Sequence, residues 1–144
     1  NRLMIERTVV AAVVMAFVGL AAFWWLMPEK GSDGYEEKVD SARNSLLLLM
    51  VLFENIHIGN CRSETKSALV LSPFRSPFLL GGVVLAFLVH VFAMYFPPLQ
   101  AVLRTAPVDL KTWGVLLALA LTIFVAMEVQ KLTWNFRAAR AEGK

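Results

Sequence analysis

Apolar residues gather in four blocks along this chain, separated by short polar stretches. The first runs from about Thr8 to Met27 and stops at Pro28. The second covers about Ser41 to Cys61, the third Pro77 to Phe96 with Pro97-Pro98 behind it, and the fourth Leu110 to roughly Leu132. Each is about 20 residues long, enough at 1.5 Å per residue to cross a hydrocarbon core of about 30 Å. The pattern predicts an all-α fold, a transmembrane bundle of four helices (8–27, 41–61, 77–96, 110–132), in a single domain over residues 1–144. Ser76-Pro77 reads as an N-cap with proline in the first helical turn, and Asp109 as the cap of the fourth helix. Ala12, Ala16 and Gly19 recur at i, i+4 and i+7, a stripe that lets a second helix approach closely. Pro28 to Asn44 reads as a solvated connection, whose acidic residues do not have the spacing of a twelve-residue calcium loop.

Composition strengthens the membrane reading. Hydrophobic residues make up 58% of the chain and charged residues 17%, with a mean hydropathy of +0.61. A soluble domain is about 45–50% apolar and about 25% charged. The net charge of +3 does not point to nucleic acid, because the basic residues lie beside and between the apolar blocks. Cys61 is the only cysteine, so an internal disulfide is excluded. The chain starts at Asn1 and carries no signal-peptide pattern, and it reads as a piece of a longer protein.

With four spans both ends fall on one side. That side carries Arg2, Arg7, Arg62, Lys66, Arg75, Lys131, Arg137, Arg140 and Lys144; the other carries Lys30, Lys38, Arg43, Arg104 and Lys111. The excess predicts cytoplasmic termini. Trp24, Trp25, Tyr95 and Trp113 then fall at the outer interface and Trp134 at the inner one, which agrees with an aromatic belt.

Glu54 is the residue that such a bundle must explain. It follows the run from Leu46 to Phe53 and precedes Asn55, Ile56, His57 and Ile58. An unpaired carboxylate in such a span costs about 3 kcal/mol even on the lenient insertion scale. Helical steps of about 100° put Asn55 and His57 on either side of Glu54, so the polar arc covers nearly half the helix and should face other helices or a wet cavity. Hard cations take oxygen ligands, and a carboxylate with a neighbouring amide supplies them. Glu54 and Asn55 are therefore candidate cation ligands, with a protonated or hydrogen-bonded Glu54 as the alternative. Glu54 and His57 have the Glu-x-x-His spacing of di-iron bundles, but the further carboxylates of such sites are missing, so His57, like His90, reads as a packing or hydrogen-bonding residue. Glu128 and Lys131 read as a local ion pair with a snorkelling lysine, and Cys61 as inert. Neither a phosphate-binding loop nor a Ser-His-Asp set is present, so no catalytic or cofactor-binding residue is assigned.

The stretch from Leu52 through Glu54-Asn55-Ile56-His57-Ile58-Gly59-Asn60 to Glu64 resembles the eighth membrane helix and following turn of P-type cation-transporting ATPases, most of all the bacterial members of the calcium-pump-like branch. Gly19-Leu20-Ala21-Ala22-Phe23-Trp24-Trp25 is similar to the outer half of that family's seventh helix. Ser76-Pro77-Phe78-Leu79 resembles the start of the ninth, and Tyr95-Phe96-Pro97-Pro98-Leu99-Gln100 with Thr105-Ala106-Pro107 and Trp113 the loop from ninth to tenth. Nearly the whole chain is covered, in order. The resemblance implies the carboxyl-terminal part of an ATP-driven pump, in which Mg-ATP phosphorylates an aspartate elsewhere. It implies that Glu54 is one oxygen ligand of the transported cation, the others coming from the fourth, fifth and sixth helices. A calcium-like ion is favoured, while Asn55 and His57 depart from that branch's pattern and leave sodium, potassium or proton transport open. The implied partners are the lipid bilayer, the amino-terminal part of the same pump and the cation, and the implied location is a bacterial plasma membrane. A free-standing four-span proton-coupled exchanger and a purely structural membrane module are the alternatives.

Overall fold

The computed structural model describes residues 2–63, 66–68, 70 and 76–142. Glu64, where the stretch resembling the eighth helix and its turn ends, and Arg75 and Lys144 of the basic side lie outside the described residues. Among the described residues the chain is all helical: α1 (Arg2–Leu26), α2 (Tyr35–Asn60), α3 (Pro77–Tyr95), α4 (Pro97–Leu103) and α5 (Leu110–Glu142). Three of these, α1, α3 and α5, are long and apolar enough to cross a membrane; α2, which carries the polar arc, is not among them.

Four boundaries differ from the sequence reading, each for a local reason. The first helix already begins at Arg2, not at about Thr8, and its first turns carry an Arg2–Glu6 pair at 3.0 Å. The connection before α2 shrinks to residues 27–34, where Gly31 and Gly34 adopt φ values of 87° and 67° that other residues reach at a cost. From Tyr35 the chain is already helical, with Glu36 and Glu37 in the first turn favoured by the helix dipole. Asp40 and Arg43 pair at 3.3 Å one turn on. The Pro97-Pro98 pair ends one helix and begins another. Pro97 biases Phe96 to an extended backbone (φ −93°, ψ 111°), which stops α3, and the same prolines then fill the first turn of α4, where a missing N–H costs nothing. Lastly, the basic tail is helical, because from Lys131 to Glu142 no glycine or proline interrupts good helix formers.

Asp109 caps α5 as expected, accepting the Thr112 backbone N–H at 3.1 Å and its hydroxyl. Those bonds, the hydroxyl's first, hold the Asp109 carboxyl below its ordinary pKa. The cap is therefore fully present above the usual carboxylate range and is lost as pH falls through the lowered value. Ser76 differs: its side chain makes no capping bond, and its carbonyl instead accepts the Leu80 N–H at 3.1 Å.

The core is built mainly by α2 and α5. Leu48, Leu49, Leu52 and Phe53 of α2 meet Leu116, Ala120, Ile123 and Met127 of α5, the latter set spaced by four, three and four residues as a single helix face requires. The α1 helix lies against both through Leu3, Arg7, Ala11, Gly19 and Ala22. The expected small-residue stripe is thus shifted: Ala12 and Ala16 are exposed and only Gly19 stays in contact. The row Leu3, Arg7, Ala11, Met15, Gly19 advances four residues at a time and so turns about 40° per step, which the straight i, i+4, i+7 reading does not follow. Helix α3 leaves most of its surface open, with Phe78 and Leu85 exposed. It is held at its far end, where Tyr95 Oη donates to Val108 O and Thr105 Oγ1 to Ala93 O, both at 3.0 Å.

A side chain at Gly19 would place its Cβ 2.6 Å from Met50 Cε. Because that atom ends a flexible chain, Gly19→Ala should melt within about 1 kcal/mol of the parent, helix propensity offsetting the shift of Met50. Gly19→Leu should lose about 1–3 kcal/mol by overpacking, measured as thermal unfolding of the full-length protein in detergent.

Candidate functional site

Helix α2 is the least apolar of the long helices and also the most enclosed. Phe53 is fully buried against the core, while Glu54, one residue on, is exposed. Leu47, seven residues before Glu54 and within about 20° of it around the helix, is exposed as well, at 48%. One strip of α2 therefore faces away from the other helices described, and the carboxylate stands on it. Among the described residues Glu54 has no hydrogen bond or ion pair, and no three His, Cys, Asp or Glu side chains gather into a metal-holding set.

Asn55 lies about 100° further round. It is half-buried and lines a small cavity of about 110 Å³ with Ile58, Gly59 and, from the start of α3, Leu79 and Leu80. His57 does hydrogen-bond, its Nε2 standing 3.4 Å from Cys61 Sγ, while its Nδ1 is buried without a partner. His90 has its Nε2 buried without a partner among the described residues.

The side chains that hold α2 in place carry little sequence signal. Arg7 of α1 is 8% exposed and its guanidinium donates to Asn60 O at 3.0 Å and Ser63 O at 3.2 Å. It thereby satisfies the carbonyl of the last residue of α2, which has no intrahelical donor, and one carbonyl of the turn that follows. The one clue to Arg7 is its place in the last turn before the apolar run of α1, four residues before Ala11. In the first half of α2, nine residues past Tyr35, Asn44, also buried, donates to Ala106 O at 2.6 Å.

Lys131 does not snorkel. It is 2% exposed and bonds Glu128 at 3.1 Å, and Glu128 also accepts the Ala68 N–H at 3.0 Å. A buried pair of this kind needs the extra bond to offset desolvation, and the Ala68 contact ties the segment after α2 to α5. Nearby, Glu6 of α1 pairs with Arg137 of α5 at 3.8 Å, so the start of α1, the end of α2 and the last turns of α5 share one end of the bundle.

Removing the Arg7 cap by Arg7→Leu should destabilise the protein by about 1–3 kcal/mol, the cost of leaving buried acceptors unmatched, with Arg7→Lys intermediate. Denaturant or thermal melting of the whole protein checks this. A Leu variant that melts with the parent would mean that water replaces the guanidinium without loss.

Comparison with known proteins adds what the geometry alone lacks. Residues 1–133 match the family described as cation transporting ATPase, C-terminus. A probable cation-transporting ATPase F of Mycobacterium tuberculosis is 27% identical over 135 residues, 94% of this chain and 14% of its own length. A calcium-transporting ATPase type 2C member 2 of Mus musculus is 28% identical over 141 residues, 98% of this chain and 14% of its own. A calcium-transporting ATPase of Bacillus subtilis is 30% identical over 84 residues, 58% of this chain and 9% of its own. The chain spans about a seventh of the length of the first two relatives, 14% in each case.

Proposed function

The chain belongs to the cation-transporting ATPase C-terminal family, on its calcium-pump-like side, and from that premise we propose that it is the four-span membrane support of an ATP-driven cation pump, to whose transport site Glu54 contributes a carboxylate. The observation that carries this reading is the exposure of Glu54 on a helix whose opposite face is fully packed. A carboxylate turned out of a membrane bundle needs a positive partner. In a protein of which this is one part, the partner is a cation held jointly with helices outside the chain. A calcium-like ion suits an oxygen-only ligand set with a carboxylate in it, and Asn55 offers a second oxygen beside it.

Helix α2 has 26 residues, about 39 Å of helix, and this length supports it as the fourth span despite its polar arc. The basic residues at the shared end of α1 and α5 support a cytoplasmic location for both termini, in the plasma membrane of a bacterium. ATP, with its magnesium, would act in domains outside this chain, on which no residue here bears. Family membership favours the pump over a free-standing proton exchanger. A parent reading frame lacking Asp-Lys-Thr-Gly-Thr would rule the pump out.

In the full-length pump, Glu54→Gln should raise the cation concentration for half-maximal phosphorylation from ATP by tenfold or more, about 1.4 kcal/mol of ligand energy. ATP affinity should not change. Unaltered cation dependence would make Glu54 a packing residue and remove it from the site.

A further inference from the structure

The α1–α5 pair that forms the shared end of the bundle also leaves a groove on the surface, about 460 Å³ in volume. Its floor is apolar, formed by Val9 of α1 with Ala126 and Val129 of α5, and its upper end is polar, formed by Glu6, Gln130, Thr133 and Arg137. Both helices are long and apolar enough to cross a membrane. A groove between two such helices, apolar below and polar above, matches the profile of a phospholipid.

Two observations on different residues say more about the occupant. Among the described side chains the rim is basic: Arg2 and Arg137 both reach the acid Glu6, at 3.0 and 3.8 Å, and Arg140 is exposed one turn beyond Arg137. Two arginines on one carboxylate leave a positive charge unmatched, and a third arginine adds another. Below them Gln130 is only 8% exposed, lines the groove, and has its side-chain oxygen buried with no partner. Gln130 lies seven residues before Arg137, about 10 Å deeper along α5. That separation is the one between a headgroup and the glycerol ester region beneath it. The unpartnered Oε1 cannot itself bond an ester carbonyl, since both accept, but turning the amide over puts its N–H groups in that place, where they donate to the ester carbonyl.

We propose that this groove is a site for one anionic phospholipid, its headgroup phosphate held by Arg137, Arg2 and Arg140 and its glycerol region by Gln130. Basic pockets between membrane helices on the cytoplasmic side recognise anionic headgroups, and the arginine fork suits phosphate better than a zwitterion carrying its own cation. The site stands apart from Glu54, which is on α2 and outside the groove.

The test uses the full-length pump in nanodiscs containing equal parts of phosphatidylglycerol and phosphatidylcholine, released into detergent and examined by native mass spectrometry. The parent should retain one phosphatidylglycerol through delipidation, in at least tenfold preference to phosphatidylcholine. The double variant Arg2→Gln/Arg137→Gln changes two exposed side chains and should lose that preference. Gln130→Leu should weaken retention of both lipids while keeping the preference. No preference in the parent, or an unchanged preference in the double variant, overturns the proposal. So does a cross-link from Val9→Cys to a protein rather than to lipid, which would make the groove a subunit contact. Cation dependence of phosphorylation should be unaltered in the arginine variants, so these results do not depend on the role of Glu54.

Discussion

The end of α2 is held by a guanidinium, and the arrangement of the bundle follows from that contact. A helix ends with carbonyls that have no partner of their own, and in an apolar bundle water is not at hand to supply one. Arg7 reaches across from α1 and closes one of them, Asn60 O, together with Ser63 O in the turn beyond. This sets the depth and rotation of α2 relative to α1. With α2 fixed, its leucines and Phe53 turn inward to α5, and Glu54 turns outward on the opposite strip. The position of the carboxylate is therefore a result of a bond made six residues away, on the last turn of the same helix.

The central place of α2 also reconciles its composition with its setting. It holds Asn44, Glu54, Asn55, His57 and Asn60, and on hydropathy alone it is not among the helices able to cross a membrane. Asn44 and Asn60 are buried and Asn55 and His57 half-buried among neighbours, which a helix on the outside of a bundle could not offer them, while Glu54 alone of these groups stands on the open strip. The apolar helix α3, by contrast, is peripheral and exposes most of its side chains. The most hydrophobic helices leave more of their surface open, and the least hydrophobic one lies between them.

Much of this was legible in the sequence because the membrane imposes period and length. The four apolar blocks, the cap at Asp109 and the singular character of Glu54 all follow from single-residue chemistry. What was hidden depends on pairs distant in sequence. Nothing local marks Arg7 as a cap for residues more than fifty positions away, or separates a buried Lys131 from a snorkelling one, since both have Glu128 three residues before them. The second role of Pro97-Pro98 was missed because a proline pair signals a stop and a start alike. The shift of the α1 contact row away from Ala12 and Ala16 reflects the crossing of two helices, which one helix's spacing does not encode.

The two bonds on α2, Arg7 to Asn60 at its last residue and Asn44 to Ala106 about a third of the way along it, have a mechanical meaning. A rod pinned at one point can swing, whereas a rod pinned at two separated points cannot tilt or slide without first breaking a pin. If a transport site is assembled around Glu54, its expansion and contraction fall to the helices that bring the remaining ligands. This chain would then be the stator of the machine, the fixed wall against which the moving parts close.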